Sequence, residues 1–194
     1  MSVHSQRIVI ITAPSGAGKT TITRHLLDRY PDKLAFSVSA ATREPRGKEV
    51  DGQDYHFMTA QRFRELIEEG AFLEWEMVYE GKYYGTLMSE VERIWTSGRA
   101  PMLDIDVKGA MRVMEQHRPI CLSIFIKPPS LQELERRLRQ RGTDPEDSIR
   151  MRLEKADFEM SYADRFDHVI VNDDLQTALA SVESIIGDFL TGDT

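Results

Sequence analysis

The spacing of apolar positions along the chain changes several times, and each change predicts an element. Ile8 to Thr12 is an unbroken, mostly β-branched run, too short for a helix, and it predicts a strand buried on both faces. A glycine-rich turn follows. From Thr20 to Tyr30 the apolar residues Ile22, Leu26 and Leu27 fall at helical spacing, and Leu34 to Ser39 predicts a second strand. The alternation returns after residue 100. Strands are predicted at Met102 to Ile105, Pro119 to Ile126 and His168 to Val171, each followed by a helix, at Val107 to His117, Leu131 to Arg141 and Leu175 to Leu190. Strands alternating with helices predict an α/β fold with a parallel sheet covered on both faces.

Two stretches break this rhythm. Residues 40–99 hold a polar loop, short aromatic strand segments (Tyr55 to Met58, Phe72 to Val78, Lys82 to Tyr84) and helical segments near 59–69 and 87–96. They predict an inserted α+β subdomain between core segments 1–39 and 100–194. The second stretch, about 137–165, is a pair of charged helical segments joined at Gly142-Thr143-Asp144-Pro145, the pattern of a mobile lid.

Composition narrows the function. Of 194 residues 41% are hydrophobic and 29% charged, enough for a packed core under a soluble surface, and the formal net charge is −7. Duplex nucleic acid is bound by neutralising phosphates with concentrated positive charge, so an acidic chain argues against a nucleic-acid polymer and leaves room for a small phosphorylated ligand. The single cysteine, Cys121, excludes an intramolecular disulfide, fits a reducing compartment and reads as a small buried hydrophobe. No apolar run is long enough for a signal peptide or a membrane-spanning helix, so a cytoplasmic protein is expected.

The first chemical signal is Ala13-Pro14-Ser15-Gly16-Ala17-Gly18-Lys19-Thr20, between a predicted strand and a predicted helix and followed by Thr21. Such a loop wraps backbone N–H groups around phosphate oxygens at the positive end of the helix. Its lysine reaches the β- and γ-phosphates and its hydroxyl ligates Mg²⁺. The first position of the usual pattern, a glycine, is here Ala13. The competing reading, a glycine-rich turn that merely caps a helix, fits the strand–loop–helix order less well. Asp104 and Asp106, at the end of a predicted strand beside this loop, are candidates to hold Mg²⁺ or its waters, and equally ordinary strand-terminal acids. Within Ser39 to Tyr55, Arg43 and Arg46 lie three apart on an irregular loop. That arrangement suits bidentate recognition of a second phosphate, or a solvated loop of mixed charge.

Several motifs then follow in one order behind the loop: Ser39-x-x-x-Arg43-x-Pro45-Arg46, Glu49-x-x-Gly52-x-Asp54-Tyr55, Phe72-Leu73-Glu74-Trp75, Tyr83-Tyr84-Gly85-Thr86 and Leu103-Asp104-Ile105-Asp106. Together with Arg141-Gly142-Thr143 and Val169 to Asp173, they resemble the guanylate kinases over Ile8 to about Leu190. The resemblance implies a P-loop core sheet, a GMP-binding insertion, a lid, and transfer of the γ-phosphate of ATP to GMP with Mg²⁺. It implies that Ser39, Glu74 and Thr86 face guanine with Asp106 near its amino group, and that Arg43, Arg46, Tyr55 and Tyr84 hold the GMP phosphate. Lys19, Arg141 and Arg152 would surround the transferring phosphoryl group. Residues 13–21 and Asn172 would bind ATP, the latter near the base or the lid hinge, with Thr20 and, through water, Asp104 serving Mg²⁺. The implied partners are ATP and GMP, with no nucleic-acid polymer and no membrane, on a monomer or homodimer. The chain departs from the family pattern at Ala13, at Gly47-Lys48 and in a Glu74–Tyr84 stretch one residue longer than usual, which leaves Tyr83 and Tyr84 as alternative phosphate ligands. Two rival readings are a P-loop kinase for another phosphorylated metabolite and a non-catalytic phosphopeptide-binding module.

Overall fold

The computed structural model describes residues 6–142 and 145–192. Its centre is β1 (Ile8–Thr12), with all five residues buried. Successive side chains of a strand point to opposite faces, so Val9 and Ile11 join one apolar cluster and Ile8 and Ile10 the other. Helices α1 (Lys19–Arg29) and α7 (Leu175–Thr191) close the first face, and α4 (Val107–His117) closes the second, with α3 (Met88–Thr96) adding Val91 to its cluster.

Around β1 lie β2 (Leu34–Phe36), β7 (Ala100–Asp104), β8 (Cys121–Lys127) and β9 (His168–Val171), in the order β2-β7-β1-β8-β9, every pair parallel. The chain leaves β1 toward β2 on one side and later leaves β7 toward β8 on the other. Such reversals leave a crevice at the carboxyl ends of the strands. Ile11 pairs with Asp104, which sets the end of β7 beside the loop that follows β1.

A second sheet of β3 (Ala40–Ala41), β4 (His56–Phe57), β5 (Phe72–Tyr79) and β6 (Lys82–Leu87) has the order β4-β3-β6-β5. It is packed by α2 (Ala60–Glu68), whose fully buried Phe63 stacks on Phe72 at 4.2 Å and on Tyr83 at 5.4 Å between ring centroids. Strand β3 falls where a polar loop was expected, and β2 stops at Phe36 rather than Ser39. The residues Arg118–Ile120 form a turn of 3₁₀ helix ahead of β8, because Pro119 has no N–H for a sheet ladder. Helices α5 (Leu131–Arg141) and α6 (Glu146–Met160) share a separate cluster of Leu134, Leu138, Ile149 and Ala156.

Phe63 is the largest apolar group holding α2 to the second sheet, so Phe63→Ala should lower the unfolding free energy by about 3–5 kcal/mol in urea titration. A loss below about 1 kcal/mol would mean that the second sheet does not depend on this stack.

Candidate functional site

The loop after β1 turns through Gly16 and Gly18, both at positive φ, and Gly18 starts α1 with no side-chain cap on its first turn. The positive end of α1 therefore opens onto the loop. Gly18 is required twice over, because a Cβ there would stand 2.3 Å from the Asn172 amide nitrogen. That amide, buried at the end of β9, donates to the Ala17 carbonyl at 2.8 Å. Leu134 and Leu138 of α5 lie against Gly16 from the other side. Lys19 reaches across to Asp104 in an ion pair. From α6, Arg152 donates to the hydroxyl of Ser15.

This loop forms one end of a cleft of about 510 Å³. The other end is built by β5, β6 and the start of α4. Glu74 pairs with Thr86 across the two strands, and its Oε1 accepts the Thr86 hydroxyl at 2.8 Å. Thr86 is wholly buried, so it bears on the cleft through Glu74 rather than facing it as expected. Glu74 is 6% exposed, and burial pushes its carboxyl up to about 7. That value includes a smaller upward push from Asp106 and the opposing pull of Thr86 and Arg112. Glu76, two residues on, is neutralised by Arg112 at 2.8 Å and Lys108 at 3.7 Å. Asp106 caps α4 by accepting the Gly109 N–H at 2.9 Å. Gly109 permits a close approach, since a Cβ there would meet Glu74 Oε2 at 2.6 Å. Ser39 lines the same cleft.

Along the side of the cleft, Arg43 donates both guanidinium nitrogens to the carboxylate of Glu49, at 2.5 and 2.7 Å, and lies over the Tyr55 ring at 4.7 Å. The Arg43 guanidinium holds Glu49 down to about 2, and the pairing raises Arg43 in turn. Tyr84 stands edge-on to Tyr55 at 6.0 Å and lines the cleft; Tyr83 points to the opposite face, against Phe63 and Trp75. The register shift between Met77 and Tyr79 takes up irregularity in this hairpin while leaving Tyr84 opposite Glu76, on the face of Glu74.

The structure thus brings together Ala13 to Gly16, Gly18 to Thr21, Ser39, Tyr55, Glu74, Tyr84, Asp104, Asp106 and Arg152 around one cleft. Arg43 and Arg46 are not among them: Arg43 is engaged with Glu49 behind Tyr55, and the Arg46 side chain is exposed while its backbone N–H bonds Glu49. Ala17 is buried beneath the loop. Asn172 lies against the loop backbone, beside a second, open hollow of about 390 Å³ with Gly16, Thr21, Arg137 and Gln140 on its walls. The side chain of Arg141 and residue Thr143 lie outside the described residues. Sequence reasoning missed Lys155 and Glu159, which with Arg152 put three cleft-lining side chains on one face of α6. Their spacing of three and four was the available signal, hidden because charged helices usually face solvent. It also missed Glu49 as the partner of Arg43. Among the described residues no group of three or more His, Cys, Asp or Glu is arranged to hold a metal, and no helix is long and apolar enough to cross a membrane.

Comparison with known proteins agrees with this arrangement. The guanylate kinase family model matches residues 5–189. A guanylate kinase of Porphyromonas gingivalis is 45% identical over 184 residues, covering 95% of this chain and 98% of the relative. One from Salinibacter ruber is 48% identical, covering 96% and 98%. The crystal structure of guanylate kinase from Anaplasma phagocytophilum superposes with a TM-score of 0.70 at 31% identity, covering 93% of this chain and 84% of that one. With a family match over nearly its whole length and a cleft that joins a glycine-rich loop to a buried carboxylate, this chain belongs to the guanylate kinase family.

Proposed function

We infer that the two ends of the cleft serve two nucleotides, and that the γ-phosphate of ATP passes between them onto GMP, giving ADP and GDP. The observation that carries this reading is Glu74. It is a buried carboxylate with one neutral hydrogen-bond partner, facing a cleft whose other end is the phosphate loop. Burying a carboxylate this way is costly unless a ligand supplies donors. Guanine supplies two, N1–H and the 2-amino group, side by side; adenine has neither, and its N1 lone pair would face the charge. In this account the Ser39 hydroxyl donates to O6 and Asp106 accepts the outer amino hydrogen. The same feature argues against a kinase for a ribose phosphate. Lys19 and the intact loop argue against a phosphopeptide-binding module.

The acceptor is a phosphate oxygen that is already anionic, so no general base is needed, and alignment with charge neutralisation does the catalysis. Arg43, Tyr55 and Tyr84 hold the GMP phosphate, with Arg46 swinging in from its exposed position. Residues 13–21 cradle the ATP phosphates, and Lys19 leaves Asp104 to follow the transferring group. Arg152, already on Ser15, and Arg141 complete the positive shell from the helical pair, which excludes water from the reacting atoms. Asn172 keeps the cradle in shape, and the hollow beside it lies where the ATP base would rest. The hard oxygen donors Thr20 and Asp104 suit Mg²⁺, which keeps several waters and binds mainly through substrate phosphates. Thr20 would ligate it directly and Asp104 through water, and the ion would neutralise charge on the β- and γ-phosphates. A cytoplasmic site of action fits the single half-buried cysteine, whose thiol burial pushes up to about 12.

A coupled assay with a panel of nucleoside monophosphates tests the assignment, and Glu74→Gln sharpens it. An amide keeps one acceptor but turns a donor toward the base, so kcat/KM for GMP should fall by about 2–4 kcal/mol equivalent with the ATP KM unchanged. Equal GMP efficiency in both enzymes would favour a different phosphorylated acceptor.

Because burial holds Glu74 up near 7 and guanine binds its ionised form, GMP affinity should rise with pH and level off above about 7. Below that point binding takes up no proton but releases one, so Kd should tighten by up to about tenfold per pH unit. Calorimetric titration from acid to mildly alkaline pH measures this. Glu74→Gln should lose the step near 7 while keeping the ligand's own phosphate ionisation near about 6. A flat profile in the parent enzyme would overturn the pairing.

Lys19→Ala should lower kcat by roughly 10² or more while leaving GMP binding in the absence of ATP unchanged. Near-normal turnover would show that the loop lysine does not act on the transferring group.

A further inference from the structure

Beyond the guanine end, the cleft meets a side groove of about 130 Å³. Cleft and groove share Glu76, Val78, Asp106, Lys155 and Glu159 as walls. The rest of the groove is lined by Val107, Lys108 and Phe158, with the β5 backbone near Met77 along its edge. Phe158 is 45% exposed, so a large apolar side chain stands partly in water at its rim. The charges around it are committed. Glu76 pairs with Arg112 and Lys108, Glu159 with Lys155 at 3.6 Å, and the Lys108 ammonium lies 5.9 Å from the centre of the Phe158 ring.

The direction in which this groove leaves the cleft matters. On the guanine reading given above, Glu74 accepts N1–H and one hydrogen of the 2-amino group. The point where a Gly109 Cβ would sit is 2.6 Å from Glu74 Oε2 and 3.5 Å from Asp106 Oδ1, so the two carboxylates stand side by side at this end of the cleft. The second amino hydrogen then points past Glu74 toward Asp106, which is itself a wall of the groove. We propose that the groove is a subsite for a short apolar substituent on the 2-amino group of the purine, so that N2-alkyl guanosine monophosphates are phosphorylated alongside GMP.

The exchange is chemically tolerable. An alkyl group in place of the outer hydrogen leaves N1–H and the inner N–H on Glu74. Asp106 loses a donor but keeps the Gly109 N–H and stays half exposed to water, so no carboxylate is stranded. The alkyl carbons gain contact with Val107 and Phe158. The reacting phosphates at the other end of the cleft are untouched, and the step remains transfer of the γ-phosphoryl group to a phosphate oxygen with ADP leaving.

The proposal rests on the guanine reading, and a steady-state assay of GMP, N2-propyl-GMP and N2,N2-dimethyl-GMP separates the two. The parent enzyme should use N2-propyl-GMP within about tenfold of GMP in kcat/KM and reject the dimethyl compound, which has no amino hydrogen for Glu74, by roughly 10² or more. Phe158→Trp, which fills the groove from the α6 wall, should keep GMP turnover and lose N2-propyl-GMP by about tenfold or more. Val107→Leu narrows it from the α4 wall and serves if the first variant folds poorly. Rejection of N2-propyl-GMP by the parent by more than about 10³, or equal loss of both substrates in the filled variants, would overturn the subsite. If Glu74→Gln leaves GMP turnover intact, the guanine reading has failed. If it cuts GMP turnover and N2-propyl-GMP is still rejected, only the groove is wrong.

Discussion

The need to keep water off both faces of β1 organises the molecule. Five buried residues in a row leave no solvated side, so helices must cover the strand above and below. Parallel neighbours must then be joined by helical crossovers, which place every strand's carboxyl end on the same rim. The loop after β1 opens on that rim, and the pairing of Ile11 with Asp104 brings an acidic strand end to its side. The phosphate end of the cleft follows from how a hydrophobic strand is buried.

The second sheet adds charge held under different conditions. Glu74 and Glu76 point to the same face of β5, two residues apart, yet among the described residues it is Glu76 that forms the ion pairs with Arg112 and Lys108. The unneutralised one is the more deeply buried, and that is why its carboxyl is raised. Arg43 shows the complementary arrangement. Its guanidinium is matched in bidentate fashion by Glu49, the geometry that a phosphate would also offer. A carboxylate of the cleft is thus short of donors while the arginine beside Tyr55 is satisfied.

Much of this was legible in the sequence. The bounds of β1, β9, α4 and α5 follow from residue pattern alone, since each is a clean period bordered by glycine, proline or a capping residue. Strand β3 was not legible: Ala40 and Ala41 carry no strand preference, and they pair only because β6 and β4 lie on either side. The main cleft residues came from motifs whose order is specific. Lys155 and Glu159 escaped because the rest of α6 reads as a solvated surface, and the Arg43–Glu49 pair because an irregular loop has no period from which to infer a contact. Which of Tyr83 and Tyr84 lines the cleft needed the register of the β5–β6 hairpin, which depends on where its two irregularities fall.

The bond from Asn172 to Ala17 spans 155 residues. It fills the space a side chain on Gly18 would take, so the first loop of the chain gains its brace from the last strand. During synthesis the amino-terminal loop emerges long before that amide exists. A nascent chain therefore has the residues of the phosphate cradle from the outset but cannot set their shape until β9 is made and docked beside β8. A premature stop ahead of residue 172 therefore leaves a product whose loop is present in full but lacks this one brace.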